Sequence, residues 1–234
     1  MPSFPKTLSF KLLAIYLVAF FIFSAFFFLA QAQTPSPQAS PALLKAQNDY
    51  TFQFTKYKDA QEKYITSKSA YLLFKTAVSK NNAFVETKNY LTQADQLYIT
   101  YVALTQEYAN SFSWGTSGAK KDEMGTIMKG ETSYLQAHKQ KVQNTKTLEE
   151  LPPLSQELKE HIESTFVPNM NKVITSMEIA DTEAALEDFN NISRILDRIV
   201  VFKIRAGETK SILANWSSEV KDIKDKTVLT IAEA

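Results

Sequence analysis

Cysteine is absent from this 234-residue chain. That excludes disulfides, thiolate metal sites, a cysteine nucleophile and a lipidated-cysteine anchor. Glycine is scarce at five residues, and no proline falls between Pro41 and Pro152 or after Pro168. Long stretches without breakers favour long helices over sheets. Histidine is limited to His138 and His161. Neither belongs to an HxxxH or HExxH pair, so the common helical metal motifs are missing. No GxGxxG, GxxxxGK[ST] or GxSxG occurs, which removes the usual sequence marks of phosphate binding and serine catalysis. A single-signed charge excess is lacking too. Beyond Lys6 and Lys11 the chain carries 24 basic against 25 acidic residues, formally −1. Such a balance has no electrostatic footprint for nucleic acid or for an anionic membrane surface.

The N-terminus is the most informative part of what is present. Lys6 and Lys11 precede an uncharged run from Leu12 to Ala30, followed by Ala30-Gln31-Ala32. A basic flank, an apolar run and a small-x-small site make a secretory signal. The nineteen-residue run is also long enough, at about 1.5 Å per residue, to approach the ~30 Å hydrocarbon core of a bilayer. Residues 1–32 therefore read as a signal peptide or an N-terminal membrane anchor. In either case the lysines hold the N-terminus inside, and the bulk of the chain is expected outside the cytoplasm. Membrane contact is expected only through residues 12–30, if the segment is uncleaved. Residues 33–41 (QTPSPQASP) read as an extended linker.

The remainder, 42–234, is expected to be one all-α domain, an elongated antiparallel helical bundle with coiled-coil-like heptad seams. The first helix should run from Ala42 to about Ser79. Leu43, Tyr50, Tyr57, Tyr64, Tyr71 and Val78 recur every seven residues, with Ala46, Gln53, Ala60, Ser67 and Phe74 three residues after them. Phe54, Ile65 and Leu72 lie off that seam and suggest a second partner helix. A break is expected at Asn81-Asn82, then a second helix over Ala83–Ser111 with Leu91, Ala94, Tyr98, Tyr101 and Thr105 on its seam. Ser113 to Gly118 reads as a loop. A third helix is expected over Lys120–Thr145, with Met124, Ile127, Tyr134, Leu135, His138 and Val142 on one face. Leu151-Pro152-Pro153 should end any helix there, a fourth should begin near Leu154, and Val167-Pro168 should stop or kink it before it resumes to about Met177. The last helix is expected from an Asp181 N-cap to about Lys226, roughly 70 Å. Its seam runs Ile192, Ile195, Ile199, Phe202, Ala206, Thr209, Leu213, Trp216, Val220, Ile223, Thr227, and its middle should be buried. Gly207 is the expected kink.

Candidate chemistry is thin. His138 and His161 read as rim or solvent-facing histidines, and Glu131 or Glu160 as the carboxylates a metal would need. Met170 and Met177 lack the spacing for a haem. Ser67-Lys68-Ser69 reads as helix surface, and Glu149-Glu150 as a first-turn charge complement behind a Thr147 cap. The tyrosine row reads as packing rather than a ligand ladder, and Trp114 as either a loop contact or a plug at the bundle end. Asn191-Ile192-Ser193 and Asn215-Trp216-Ser217 match glycosylation sequons at seam positions, where the match is coincidental.

In texture (no cysteine, a Phe-rich leader, a Pro/Ser/Gln linker, tyrosine- and lysine-rich helices) the chain resembles uncharacterised exported helical proteins of bacterial candidate phyla. That resemblance spans the chain without a motif and implies no activity. The expectation is a non-enzymatic exported or surface-tethered bundle with no cofactor, metal or catalytic residue. It would act through an unknown protein partner or self-association, or as a structural element of the cell envelope. The alternative is an extracytoplasmic ligand-binding, sensor-like domain working with a partner subunit.

Overall fold

The computed structural model describes residues 40–111, 114, 118–205, 215, 218–226 and 228. The chain divides into two compact units, Met1–Ser40 and Pro41–Ala234. The signal or anchor segment and most of the linker lie outside the described residues. Among the described residues there are five α-helices and no strand: α1 Pro41–Phe74, α2 Ala77–Ser111, α3 Gly118–Asn144, α4 Leu151–His161 and α5 Val167–Arg205. No helix among them is long and apolar enough to cross a membrane.

Pro41 opens α1, where its missing N–H costs nothing and its fixed φ suits a first turn. The α1–α2 break falls at Lys75-Thr76, not at the Asn81-Asn82 pair. Lys75 adopts a left-handed φ of 52° and its N–H closes on the Tyr71 carbonyl at 3.0 Å. Thr76 and Ser79 then cap each other. The Ser79 N–H donates to Thr76 Oγ1 at 3.1 Å, and the Thr76 N–H to Ser79 Oγ at 3.0 Å. Two orphan donors of the new helix are thereby satisfied, with serine in the place usually held by Glu or Gln. Asn81 and Asn82 are exposed positions inside α2.

The α1–α2 hairpin is antiparallel. Going up α1, Tyr50 meets Tyr101, Gln53 Nε2 donates to Gln93 Oε1 at 2.7 Å, and Tyr57 and Tyr64 both meet Tyr90. Tyr64 stacks on Tyr90 with centroids 4.9 Å apart, and the Tyr57 and Tyr90 hydroxyls lie 3.1 Å apart. Burial pushes the Tyr50 and Tyr98 phenols up to about 12, so they remain neutral hydrogen-bonding groups. The row works as packing, on small neighbours Ala60 and Ser67 that let the helices approach. Of the second face expected on α1, Phe54 is half-buried beside Tyr50. Ile65 and Leu72 are exposed, and α1 packs extensively on α2 alone.

The apolar core sits between α2, α3 and α5. Val102, Met124, Leu135, Phe166, Val173 and Met177 are among its members. A smaller cluster, Leu91, Val142 and Leu151, closes the other end. Trp114 is buried in the main cluster and donates its indole N–H to the Ala109 carbonyl at 2.7 Å, which makes it a plug.

Two proline expectations need correction. Pro152 and Pro153 do not exclude helix; they occupy the first turn of α4, where no intrahelical N–H is required. A 3-10 turn, Leu148–Glu150, leads into it from Thr147. Val167-Pro168 does not end the helical run, which resumes from Val167 as expected and continues well beyond Met177. A π-turn over Ile162–Phe166 precedes it, with the Val167 N–H reaching the Ile162 carbonyl. The wider turn makes room for a ring that would clash with the preceding turn of an α-helix. The α5 helix then runs unbroken through Asp181, which is a mid-helix residue and no N-cap. No glycine or proline interrupts 169–205. Ile192, Ile195 and Ile199, expected to be buried, are 56%, 57% and 49% exposed. Phe202, Ala206, Thr209, Leu213, Trp216 and Thr227, with the expected Gly207 kink, lie outside the described residues or have side chains outside them.

Thr76→Ala should cost about 1 kcal/mol of stability, while Asn81→Ala and Asn82→Ala should be near neutral. Urea melts of the three variants check this; equal losses would return the break to the asparagines.

Candidate functional site

One buried and one partly buried histidine–carboxylate pair occupy the space where α2, α3, α4 and the start of α5 converge. Asp95 and His138 are 0% and 1% exposed. Asp95 follows the Leu91-Asp95-Tyr98-Val102 spacing of the inward face of α2, and His138 follows Leu135 on that of α3. His138 Nδ1 lies 2.8 and 2.9 Å from the two Asp95 oxygens. Its Nε2 lies 3.0 Å from the Leu154 carbonyl. A carbonyl only accepts, so Nε2 carries a proton, and the bifurcated carboxylate contact favours a second proton on Nδ1. Burial alone would lower the His138 pKa; the Asp95 hydrogen bond and charge, aided by the Leu154 carbonyl and Glu157, carry it above the ordinary histidine value. Burial likewise dominates at Asp95 and raises its carboxyl, with His138 and Lys139 opposing. The pair is best described as one internal ion pair holding its protons tightly.

The second pair is Glu131 with His161. Glu131 is 3% exposed. Its Oε2 lies 2.8 Å from His161 Nε2, and its Oε1 accepts from Asn169 Nδ2 at 2.5 Å. Tyr134 connects the pairs: its ring lies flat on His161 with centroids 3.4 Å apart and faces His138 at 6.4 Å. Burial, then the nearby Glu157 carboxylate, push the Tyr134 phenol up to about 12. Glu157 is held low, chiefly by Lys141 at 2.5 Å. The constellation therefore includes carboxylates from α2, α3 and α4, with Asn169 contributed by α5.

The chemistry available to this cluster is restricted. Both nitrogens of His138, both oxygens of Asp95 and both oxygens of Glu131 are engaged within the protein. Among the described residues no three His, Asp or Glu side chains gather as a metal site. Glu160, the other carboxylate singled out by sequence, is exposed and accepts from Gln156. His138 is not the rim histidine expected, and His161 is half-buried on Tyr134. Met170 and Met177 are core residues. Ser67 is buried and donates to the Tyr64 carbonyl at 3.1 Å, while Ser69 is exposed. Glu150 accepts from the Lys146 N–H and the Thr147 hydroxyl, so the glutamate reaches back to the turn entry rather than being capped by Thr147. Glu149 pairs with Lys80 at 2.6 Å. Asn191 and Asn215 are exposed helical residues, and Ile192 beside the first sequon faces solvent.

Asp95 was not visible as a site residue in sequence. The available signal was an acid at core spacing on α2, opposite a histidine at core spacing on α3. Comparison with protein-family models, curated proteins and solved structures found no match for this chain.

Because the folded pair binds its protons more tightly than the unfolded chain, stability should fall as pH rises. Its His138 contribution is complete below the unfolded value of about 6.5 and is lost through the raised folded value. Asp95 acts in the same direction from about pH 4 upward, and the low-lying Glu157 acts in the opposite direction in acid. Urea melts from about pH 6 to about pH 9 should show this decline, and His138→Gln should flatten it. Asp95→Asn at pH 6 should cost about 3–5 kcal/mol, since it strands a buried imidazolium. Stability rising with pH above 7 would refute the assignment.

Proposed function

We propose that this chain is a non-enzymatic, exported or surface-tethered helical bundle that acts by binding a protein partner. One observation carries the reading: the tip of the α1–α2 hairpin is apolar and open. Leu72, Leu73, Phe74 and Val78 are 62%, 75%, 64% and 70% exposed on consecutive turns. Single exposed apolar residues are ordinary, whereas a contiguous cluster marks a contact surface. An open groove of about 830 Å³ runs beside it, bordered by Phe74 and Val78 with Glu62, Lys63, Asn82 and Glu86 at its edge. An apolar centre with a charged rim is the anatomy of a protein–protein contact. The capped break at Thr76 holds this tip in one conformation, which limits the ordering cost of binding. The engaged state of the two histidine–carboxylate pairs supports a structural role for them in place of a catalytic one. The export half of the reading rests on residues 6–32.

A second reading, the ligand-binding sensor-like domain, is favoured by a separate feature. A cleft of about 310 Å³ between α2 and α3 is lined by Gln96, Gln136, Lys139, Gln140 and Gln143 beside Ile99. Lys139 already donates to Gln96 there at 2.6 Å. The cleft is small and polar, at the low end of ligand-site volumes, which places it behind the hairpin tip.

A photo-crosslinker at position 73, activated in intact native cells, should give a discrete adduct accessible to external protease. Phe74→Ser with Val78→Ser should abolish that adduct and leave the thermal melt unchanged. An adduct that survives these changes, or one protected inside the cell, would sink the reading.

A further inference from the structure

The groove beside the hairpin tip is one side of a layer only two helices thick. Thr66 and Ala70 line it from α1, and Val78 and Asn82 from α2. Helical spacing adds Leu73 to the face of Thr66 and Ala70, and Val85 to the face of Val78 and Asn82. Leu73, Val78 and Val85 are 75%, 70% and 49% exposed. The α3 helix meets α2 elsewhere, through Asp95 and His138, about 100° or more around the helix from Val78 and Asn82. Farther from the tip the groove carries Lys63 on α1 and Glu86 on α2. Neither pairs with an opposite charge among the described residues.

We infer that a second copy of this chain covers this face, the two hairpins packing side by side about a two-fold that runs along them. The inference rests on the protein-partner reading of the tip and names that partner. Under this symmetry α1 of each copy lies against α2 of the other, at equal distances from the Lys75-Thr76 turn. Every helix then has two antiparallel neighbours, the arrangement of an up-and-down four-helix bundle. The facing positions match in kind. Leu73 comes level with the second copy's Val78, and Thr66 with its Val85. Between those layers Ala70 comes nearly level with Asn82, a small side chain before a larger polar one. Beyond them Lys63 comes within a turn of Glu86, and Glu62 is level with Asn89. Apolar groups therefore meet near the tip and opposite charges meet at the edge. The contact is isologous, so each pairing occurs twice and the assembly closes at two copies. An antiparallel two-fold with the same overlap would instead turn Lys75 toward Lys63, a like-charge contact that disfavours it.

Leu73→Cys and Val78→Cys test the arrangement in a chain with no native thiol to compete. Each is made singly in the full chain, purified as the host processes it, mixed with the other and mildly oxidised. The expected product is the mixed disulfide dimer. Homodisulfides should be scarce, because diagonal helices of such a bundle lie about 11–14 Å apart, beyond a disulfide's reach of about 7 Å. Sedimentation should show a dimer, loosened about two- to tenfold by Lys63→Glu and restored when Glu86→Lys is added. An Asn82→Cys chain that readily forms homodisulfides would overturn the two-fold along the hairpin, since only an antiparallel pair brings those positions together. A monomer at every concentration would overturn the second copy as partner. The crosslinked adduct at position 73 in native cells keeps the two readings apart. An adduct holding two copies of this chain is expected. One holding a different protein, with the purified chain monomeric, would overturn this inference and leave the protein-partner reading standing; a monomer with no adduct would end both. Positions 63, 73, 78 and 82 are exposed, so their replacement leaves the fold intact, and an unchanged melt confirms that for each variant.

Discussion

The ion pair between Asp95 and His138, anchored at the Leu154 carbonyl, is the constraint on which the rest of the bundle depends. It is the point where α2, α3 and the first turn of α4 are joined through atoms that cannot be left unpaired. Apolar contacts tolerate sliding by a fraction of a turn. A buried imidazolium does not, because losing either partner strands a charge at a cost of about 3–5 kcal/mol. The pair therefore sets the register of α3 on α2. Lys139 with Gln96 and Lys88 with the Thr145 carbonyl lie at the positions that register requires. Burial of such a pair is weak evidence for added stability, since well-packed apolar residues often do as well. Its consequence here is geometric: one arrangement of three helices is selected over its neighbours.

The remaining joints follow from that arrangement. Once α3 is fixed, Glu131 faces both His161 and Asn169, so α4 and α5 are drawn onto α3 as a single run. The π-turn at Ile162–Phe166 lets that run continue past Pro168 without losing its facing. Phe166, at the end of the turn, packs edge-on to Tyr98 with centroids 5.0 Å apart and reaches the tyrosine side of α2. By contrast α1 attaches through rings and amides. Gln53, Ser67 and Ala60 are its buried centre, and little aliphatic surface is hidden. The hairpin tip beyond Ser67 has no third helix to cover it among the described residues, and its apolar side chains remain open.

Much of this was legible as periodicity. The tyrosine row of α1, the seam of α2 and the Met124-to-Val142 face of α3 all read as helical stripes, and each stripe faces another helix. Boundaries were less legible because they depend on hydrogen bonds that composition does not encode. Asparagine pairs are common breakers, yet the actual break used a threonine and a serine three residues apart. Prolines were read as stops or kinks, and the chain placed two in a first turn and one behind a π-turn. His138 was misplaced for a related reason. Average tendencies put a histidine at the rim, and only the three-dimensional meeting of two seams shows that Asp95 waits opposite His138.

The α5 stripe separates two questions that periodicity merges. A regular seam states which side chains share a face; it does not state what that face meets. From Ile192 onward the spacing is as strict as on α2, and burial was the natural expectation. In the folded chain α2 lies between α1 and α3 and is covered on both sides, while α3, which begins at Gly118, pairs with α5 through Lys120 and Glu183, ahead of the isoleucines in sequence. The difference comes from length. Residues 118–144 of α3 are too few to accompany a 39-residue α5 to its end. An apolar seam that outruns its intramolecular neighbour must meet solvent or another surface.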